Sequence, residues 1–460
     1  MNAIQVSNIA GMANGKLISG DITTEVKRVV TDSRIAQPGD LFVALKGPNF
    51  DAHTFIPEMN DRPVSAVMVD HEVVSNASIV KVKDTLIGLQ TLAKNYRKLL
   101  KCHVVGITGS NGKTSTKDLT AAVFSSKFTV SKTEGNQNNH IGLPLSVLAI
   151  EDSHDIAILE IGMNHAGEIA PLAEIAAPHV AIITNIGTAH IEFLKTQQAI
   201  AEEKAELARA IPAKGIVILN ANDPFTPVIA KLCTARILTA GINVGDVCAK
   251  DLNAETGGTT FKVSYKLEEI TAFLPIPGQH MVNNAVLALA AGLAHGIPLT
   301  AAVDALAKIQ LTSARLETKE IGGIHFLDDT YNANPDSMQA ALATLKTVPG
   351  SGKKIAVLGA MGELGDYSEE GHRKVGAATQ FVDLLVTVGK TAEWIADEAE
   401  KCGATQVIRT ADFAQAAAAL LSLLQPGDWV LVKGSRSARM EQVIQELALS
   451  LLPISPATTH

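Results

Sequence analysis

The chain has 460 residues, 47% of them hydrophobic and 19% charged, with 35 Gly and 18 Pro. At ~150 residues per domain this length implies about three domains, and the composition excludes collagen, low-complexity and largely disordered chains. With 39 Lys and Arg against 47 Asp and Glu the formal net charge is −8, so no bulk attraction to nucleic acid or anionic lipid is expected and any phosphate chemistry must be local.

Cysteines 102, 233, 248 and 402 lie too far apart for a zinc or redox motif and are expected to be reduced, buried thiols. The opening MNAIQVSNIAGMANGKLISG lacks a basic stretch followed by an apolar run. No segment approaches the ~18 uninterrupted apolar residues of a membrane span, so a soluble cytoplasmic protein is expected.

In the first unit, TEVKRVVTDSRIAQPGDLFVAL mixes β-branched residues with a Pro-Gly turn, which predicts short strands but no function. Residues 84–100 then place Leu86, Leu89, Leu92, Ala93, Tyr96, Leu99 and Leu100 on one helical face, with Asp84 as N-cap. That helix closes a first domain over 1–100. The apolar run HVVGIT turns directly into GSNGKTST and opens a second domain at Lys101. IAILEI (156–161), VAIITN (180–185) and IVIL (216–219) continue it as strands separated by helical patterns. Such alternation predicts a mostly parallel sheet flanked by helices, with ligands beyond the carboxyl ends of the strands. That edge would carry the 109–114 loop, Glu160, Asn185 with nearby His190, and Asn220. Past Ala314 the pattern restarts with HFLDD, IAVLG, LLVTVG and WVLVKG. The boundary is set near Leu311, giving domains 1–100, 101–311 and 312–460.

The loop at 109–116 carries the strongest chemical signal. Glycines let backbone N–H groups wrap a phosphate, the following helix adds partial positive charge, Lys113 supplies a full one, and the Thr114 hydroxyl can ligate Mg²⁺. The common longer motif would need Gly at position 107, which is Ile, so this is a shorter G-x-x-G-K-T variant. Glu160 ends an apolar strand, as a Mg²⁺ ligand or as a solvated residue just past the strand. His190, six residues after the VAIIT strand, reads as a ligand or as a structural histidine. EEKAE at 202–206 reads by itself as the charged face of a solvated helix. The Asp at a strand end in DDTYNANPDS suits a ribose or polar substrate, or a plain Asn-Pro turn. KGSRSARM (433–440) suits a carboxylate, or a helix start with a basic surface.

GSNGKTST, EGNQNNHIGLP, LEIGMNHAGEI, TNIGTAH, PGQHMVNNAVLALAAG, ARLE, DDTYNANPDS and KGSRSARM occur in the order seen in the Mur ligases of bacterial cell-wall synthesis, which the chain resembles along nearly its whole length. DDTYNANP with GAMGELGDYSEEGH, plus TDSR and FVALKGPNFDAH in the first unit, looks most like the branch that joins D-alanyl-D-alanine to a UDP-N-acetylmuramoyl tripeptide. The resemblance implies an α/β protein of three domains: an N-terminal α/β UDP-binding domain, a central P-loop ATPase with a mostly parallel sheet, and a C-terminal Rossmann-like α/β domain that binds the incoming dipeptide and closes over the nucleotide. It further implies a reaction through an acyl phosphate.

Carried over by motif, the resemblance implies that Gly109, Ser110, Asn111, Gly112, Lys113, Thr114, Ser115, Asn284, Arg315 and Asp329 bind ATP. Thr114, Glu160, His190 and Lys204 would hold Mg²⁺, with Lys204 carrying a CO₂-derived carbamate; Lys113, Glu160, His190 and Lys204 form the catalytic set. Ser33, Arg34, Lys46 and Asp51 would bind the UDP moiety. Asn138 and Asn139 would line the path to the muramoyl peptide, and Asn332, Asn334 and Lys433 would contact the dipeptide. Met281 departs from the pattern, since many relatives have Asn after the His of PGQH. The resemblance implies a monomer with small-molecule substrates and no nucleic-acid partner.

Three alternatives differ in visible features. Folylpolyglutamate synthetase shares the last two domains but would open on its P-loop, whereas residues 1–100 precede it here. A sibling that adds one amino acid would carry a DNPR-type motif, which the last domain lacks. A nucleotide-gated switch would end a strand in an acidic pair, and this chain has LEIG. Lys113 and Asp329 fall in separate domains, so domain closure around one nucleotide is expected.

Overall fold

The computed structural model describes residues 1–59, 64–255, 257–309, 312, 314–404 and 406–451. The expected boundary at Leu311 lies outside them, as does the end of the chain from 452 to 460.

Three main sheets, one for each stretch of chain outlined by the sequence, carry the architecture. The first has five strands, ordered Lys16–Ser19, Ser78–Lys81, Ala66–Val69, Asp40–Val43 and Arg28–Val30, all parallel except the first pair. The expected short strands around the Pro-Gly turn are therefore present. Its closing helix, Thr85–Arg97, is capped by Asp84, whose side chain accepts from Ile87 N at 2.8 Å. Leu89, Leu92, Ala93 and Tyr96 are buried as predicted, each large side chain stabilising the fold by about 2 kcal/mol. Leu99 lies beyond the helix end and is exposed, because the helical period stops at Arg97. The buried face packs on the middle domain: Tyr96 Oη donates to Ile150 O at 2.6 Å and Arg97 Nε to Ala176 O at 2.9 Å.

The middle sheet has nine strands. A parallel core runs Arg236–Ile242, Ile216–Asn220, Val180–Ile183, His103–Thr108, Ile156–Glu160, Val130–Lys132, and every predicted strand of this domain lies in it. Past the exposed His103, its central strands are buried and mostly apolar because helices cover both faces. Beyond Arg236–Ile242 come Val247–Glu255, Gly258–Tyr265 and Glu268–Leu274, the last two pairing antiparallel. This ribbon is not anticipated above, although buried Phe261 and Val263 flank exposed Lys262 with the period of two that marks a half-buried strand.

The last sheet is ordered Glu317–Ile321, Ile324–Asp329, Trp429–Lys433, Lys354–Gly359, Leu384–Val388, Val407–Thr410, parallel except for its first pair. All four predicted strands appear, and one apolar core runs on from the middle domain into this one. Cys102 and Cys248 are buried free thiols, whereas Cys233 and Cys402 are half-exposed because both sit just past a helix end. Among the described residues no helix is long and apolar enough to cross a membrane.

At the amino-terminal end of Val180–Ile183, His179 Nδ1 accepts from Val104 N at 3.0 Å and its ring stacks on His103 at 4.6 Å. Burial, with repulsion from His103, holds its pKa down at about 4 instead of 6.5. The folded state thus prefers the neutral ring, and this stabilisation is complete above pH ~6.5 and lost as pH falls towards 4. Asparagine offers Val104 an equivalent acceptor without the titration. In thermal melts His179→Asn should lose less stability than the parent between pH 6.5 and 4; parallel slopes would reject this.

Candidate active site

The carboxyl ends of the middle strands face the last domain across a cleft of about 910 Å³. Its floor is the turn from His103–Thr108 into the helix Lys113–Ser125. Gly112 caps that helix with φ +78° and no side-chain cap, so the first-turn N–H groups stay open for an anion. A Cβ there would meet Asn284 Oδ1 at 2.6 Å, which makes glycine obligatory twice over. The loop is braced from the next strand: Ser110 N donates to Asn185 O and Asn111 N to Asn185 Oδ1, both at 2.9 Å. Asn220 Nδ2 in turn donates to Thr184 O at 2.8 Å, so the expected edge is assembled as a hydrogen-bonded shelf.

Lys113 Nζ donates to Gly109 O at 2.8 Å and to Ser110 O at 3.4 Å. Burial pushes its pKa down, Glu160 opposes this, and Arg315 pushes it down further. Arg315 comes from the last domain, lies over the Tyr331 ring at 4.1 Å, and leaves a buried Nε without a partner among the described residues. Its neighbours Ala314 and Leu316 both hold positive φ, at +62° and +53°, backbone that non-glycine residues adopt only under constraint. Two cations facing one cleft are arranged for a polyanion.

Glu160 is buried at 2% exposure. Its Oε2 accepts from Thr114 Oγ1 and its Oε1 from Asn138 Nδ2, both at 2.8 Å. It is thus the buried, partnered carboxylate and not the solvated strand-end residue. Asn139 lines the cleft and accepts from Gly142 N at 2.9 Å. Ser115 and Asn284 line the cleft too, and Asn284 Nδ2 touches Met281 Sδ at 3.8 Å.

The solvated-face reading of 202–206 is overturned. Glu203 and Lys204 are buried, at 8% and 1% exposure, because the helix Gln197–Arg209 turns this side towards the sheet. Glu203 accepts from Gly167 N and Ile169 N, at the start of the preceding helix Ile169–Ala176. Lys204 Nζ has no hydrogen bond or ion pair among the described residues, and burial, with repulsion from Lys113, drives its pKa far down. Lys204 lies beneath the cleft and is not part of its lining.

The last domain closes the cleft. Asn334 caps the helix Pro335–Thr347 and its Nδ2 donates to Asn111 Oδ1 at 2.7 Å. Asp336 Oδ2 accepts from Thr188 N at 2.6 Å and Thr188 Oγ1 at 2.9 Å. Lys433, at 2% exposure, donates to Asp329 Oδ2 at 2.6 Å and Asn332 O at 2.8 Å. The KGSRSARM lysine is therefore already paired, while Arg436 stays exposed at the rim. His190 Nδ1 lies 2.7 Å from Glu363 Oε2, across the domains. Asp336 and Glu363 have no role in the sequence reading; both sit inside motifs quoted there, but only closure shows what they touch.

The first-domain candidates are not in this cleft. Lys46 Nζ lies 3.1 Å from Asp70 and 3.9 Å from Asp51, and Asp51 Oδ1 is 2.5 Å from His53 Nδ1. Ser33 and Arg34 sit on the turn Ser33–Ile35, where Arg34 pairs with Asp32 at 2.7 Å. His53, Asp70 and His71 approach each other closely enough to share a cation, but the Lys46 ammonium already meets the Asp70 charge.

Comparison with known proteins agrees with this arrangement. Residues 107–292 match the Mur ligase middle domain and residues 314–436 the Mur ligase glutamate ligase domain. The chain is similar to the UDP-N-acetylmuramoyl-tripeptide–D-alanyl-D-alanine ligase of Bacillus subtilis (strain 168), at 39% identity over 458 residues, 97% of this chain and 99% of that one. It is also similar to crystal structures of MurF from Acinetobacter baumannii (TM-score 0.90, 33% identity, 98% of this chain and 99% of that) and of MurF ligase from Thermotoga maritima in complex with ADP (0.84, 31%, 93% and 98%). With matched domains on both sides of the cleft and relatives aligned almost end to end, the chain belongs to the Mur ligase family.

Proposed function

We propose that this protein is an ATP-dependent ligase that joins D-alanyl-D-alanine to the terminal carboxylate of a UDP-N-acetylmuramoyl tripeptide, the last cytoplasmic step in making the peptidoglycan precursor. The single observation that carries the chemistry is the open Gly109–Thr114 loop with Lys113 and Arg315 facing it from two domains. The dipeptide specificity is supported by the long similarity to ligases of that name.

Amide formation from a free carboxylate is uphill in water, so the carboxylate must first be activated. The tripeptide carboxylate attacks the γ-phosphorus, ADP leaves, and an acyl phosphate forms. The dipeptide amine then attacks the acyl carbon, inorganic phosphate departs with the C–O bond pair, and the amine gives up a proton. Residues 109–115 hold the phosphates through backbone N–H groups, and Lys113 and Arg315 offset the charge spread over the transferred group. Asn284 and Asp329 serve the adenine and ribose, and closure over Asn111 and Thr188 keeps water from the acyl phosphate.

The Thr114 hydroxyl and the Glu160 carboxylate are hard oxygen donors already in contact, a set that fits Mg²⁺, with His190 nearby. Bound Mg²⁺ would supply charge neutralisation at the phosphates. Lys204 fits a carbamate: only a neutral amine reacts with CO₂, and burial without a partner favours that form. Ser33, Arg34, Lys46 and Asp51 take the UDP end, and Asn138 and Asn139 the path of the peptide. Asn332, Asn334 and Lys433 border the dipeptide side. Domains 1–100, 101–311 and 312–460 thus divide the work of UDP binding, ATP use and dipeptide binding. A monomer suffices for this scheme, in which no step calls on a second copy of the chain.

Phosphate release tests the reading. Release should require both the UDP-tripeptide and D-alanyl-D-alanine, and equal release without them would favour a nucleotide switch. Running meso-diaminopimelate and L-lysine tripeptides side by side identifies the natural third residue.

A further inference from the structure

His190 and Glu363 meet across the closed cleft. His190 ends the loop after Val180–Ile183 and holds φ +63°; Glu363 lies on a turn of the last domain at φ +58°. Two non-glycine residues in left-handed backbone persist only where their surroundings hold them there. Here each loop presses on the other: Glu192 N donates to Glu363 O at 3.4 Å, and a Cβ on Gly365 would come within 2.9 Å of Glu192 Cγ. The outcome is His190 Nδ1 at 2.7 Å from Glu363 Oε2, an ion-pair contact that lies off the line of a hydrogen bond, while His190 also lines the cleft and its Nε2 has no hydrogen bond to a described residue.

We infer that Glu363 is a positioning residue: when the closed cleft takes up its ligands, a small turn of the ring lets the carboxylate already in contact accept the Nδ1–H of His190, fixing the tautomer whose Nε2 lone pair is offered to a divalent cation at the phosphates. A carboxylate behind a histidine orients the ring and raises its basicity towards a metal, and losing it costs metal affinity 10–100-fold. Because the carboxylate belongs to the moving domain, closure of the cleft and completion of the cation-binding edge become one event. The inference rests on the reading of His190 as a cation ligand given above.

The test is Mn²⁺ binding, read by electron paramagnetic resonance, with a non-hydrolysable ATP analogue and the UDP-tripeptide present. Glu363→Ala should weaken Mn²⁺ about 10-fold or more, and Glu363→Gln, which keeps an acceptor oxygen, should recover part of the loss. His190→Ala should weaken Mn²⁺ as well, and the double variant should be no worse than His190→Ala, since Glu363 acts through the ring. Nitrogen-15 spectra of His190 should show the Nδ1–H tautomer in the parent and lose it in Glu363→Ala. If His190→Ala weakens Mn²⁺ but Glu363→Ala binds like the parent, or if the two losses add, the inference alone is overturned. If His190→Ala binds like the parent, the assignment of His190 fails and takes this inference with it.

Discussion

Lys113→Ala should abolish ligation, lowering kcat by about 10³-fold or more, a loss of about 4 kcal/mol of transition-state stabilisation. The ammonium is held over the phosphate loop by its hydrogen bonds to Gly109 O and Ser110 O, on the first turn of a helix whose N–H groups point the same way. Among the described residues no other lysine or arginine of the middle domain lines the cleft; Arg315, Lys433 and Arg436 approach from the other domain. The fold should survive, because the alanine fits a helix and, of the two carbonyls it frees, Ser110 belongs to the cleft lining, a change of about 1 kcal/mol. Circular dichroism and melting temperature should match the parent while turnover is lost. Retained turnover would reject the assignment.

Lys204→Ala should cost about 10²-fold or more in turnover, on the scale of losing a positioned electrostatic group. Its effect on stability should be small, for two opposing reasons. Truncating a buried side chain leaves a cavity, which destabilises; removing a buried amine with no partner among the described residues relieves a desolvation cost, which stabilises. The decisive measurement is chemical rescue. If the lysine works as an anionic carbamate, small carboxylic acids such as formate or acetate should enter the space and restore part of the activity of Lys204→Ala, while doing nothing for Lys113→Ala. Full activity in the unrescued variant would remove Lys204 from the scheme.

The phosphate loop was legible from the chain because its geometry is local: two glycines, a lysine and a hydroxyl between an apolar strand and a helix set both the backbone shape and the charge. The same holds for Asp84 as a helix cap and for the strands ending at Thr108, Glu160 and Asp329. Glu160 announced itself as a charge closing an apolar run, although only packing showed that Thr114 and Asn138 satisfy it. Lys204 was not legible in this way. Charges at 202, 203, 204 and 206 look like a wet helix face, and it is the docking of Gln197–Arg209 on the sheet that buries two of them. Glu363 and Asp336 stayed silent for a related reason: each meets a group from another domain, and no local period encodes such a partner.

What the amino-acid order decided unaided was the catalogue of short-range pieces: strand, loop and helix in succession, a phosphate cradle, three stretches of α/β pattern. Folding in three dimensions decided which pieces share a surface. It brought Arg315 opposite Lys113, set Glu363 against His190, and kept Lys46 and Asp51 out of the cleft. Backbone conformation and burial pattern answer to neighbours a few residues away, whereas a site between domains answers to the packing of whole sheets and helices, whose contacts span hundreds of positions in the chain.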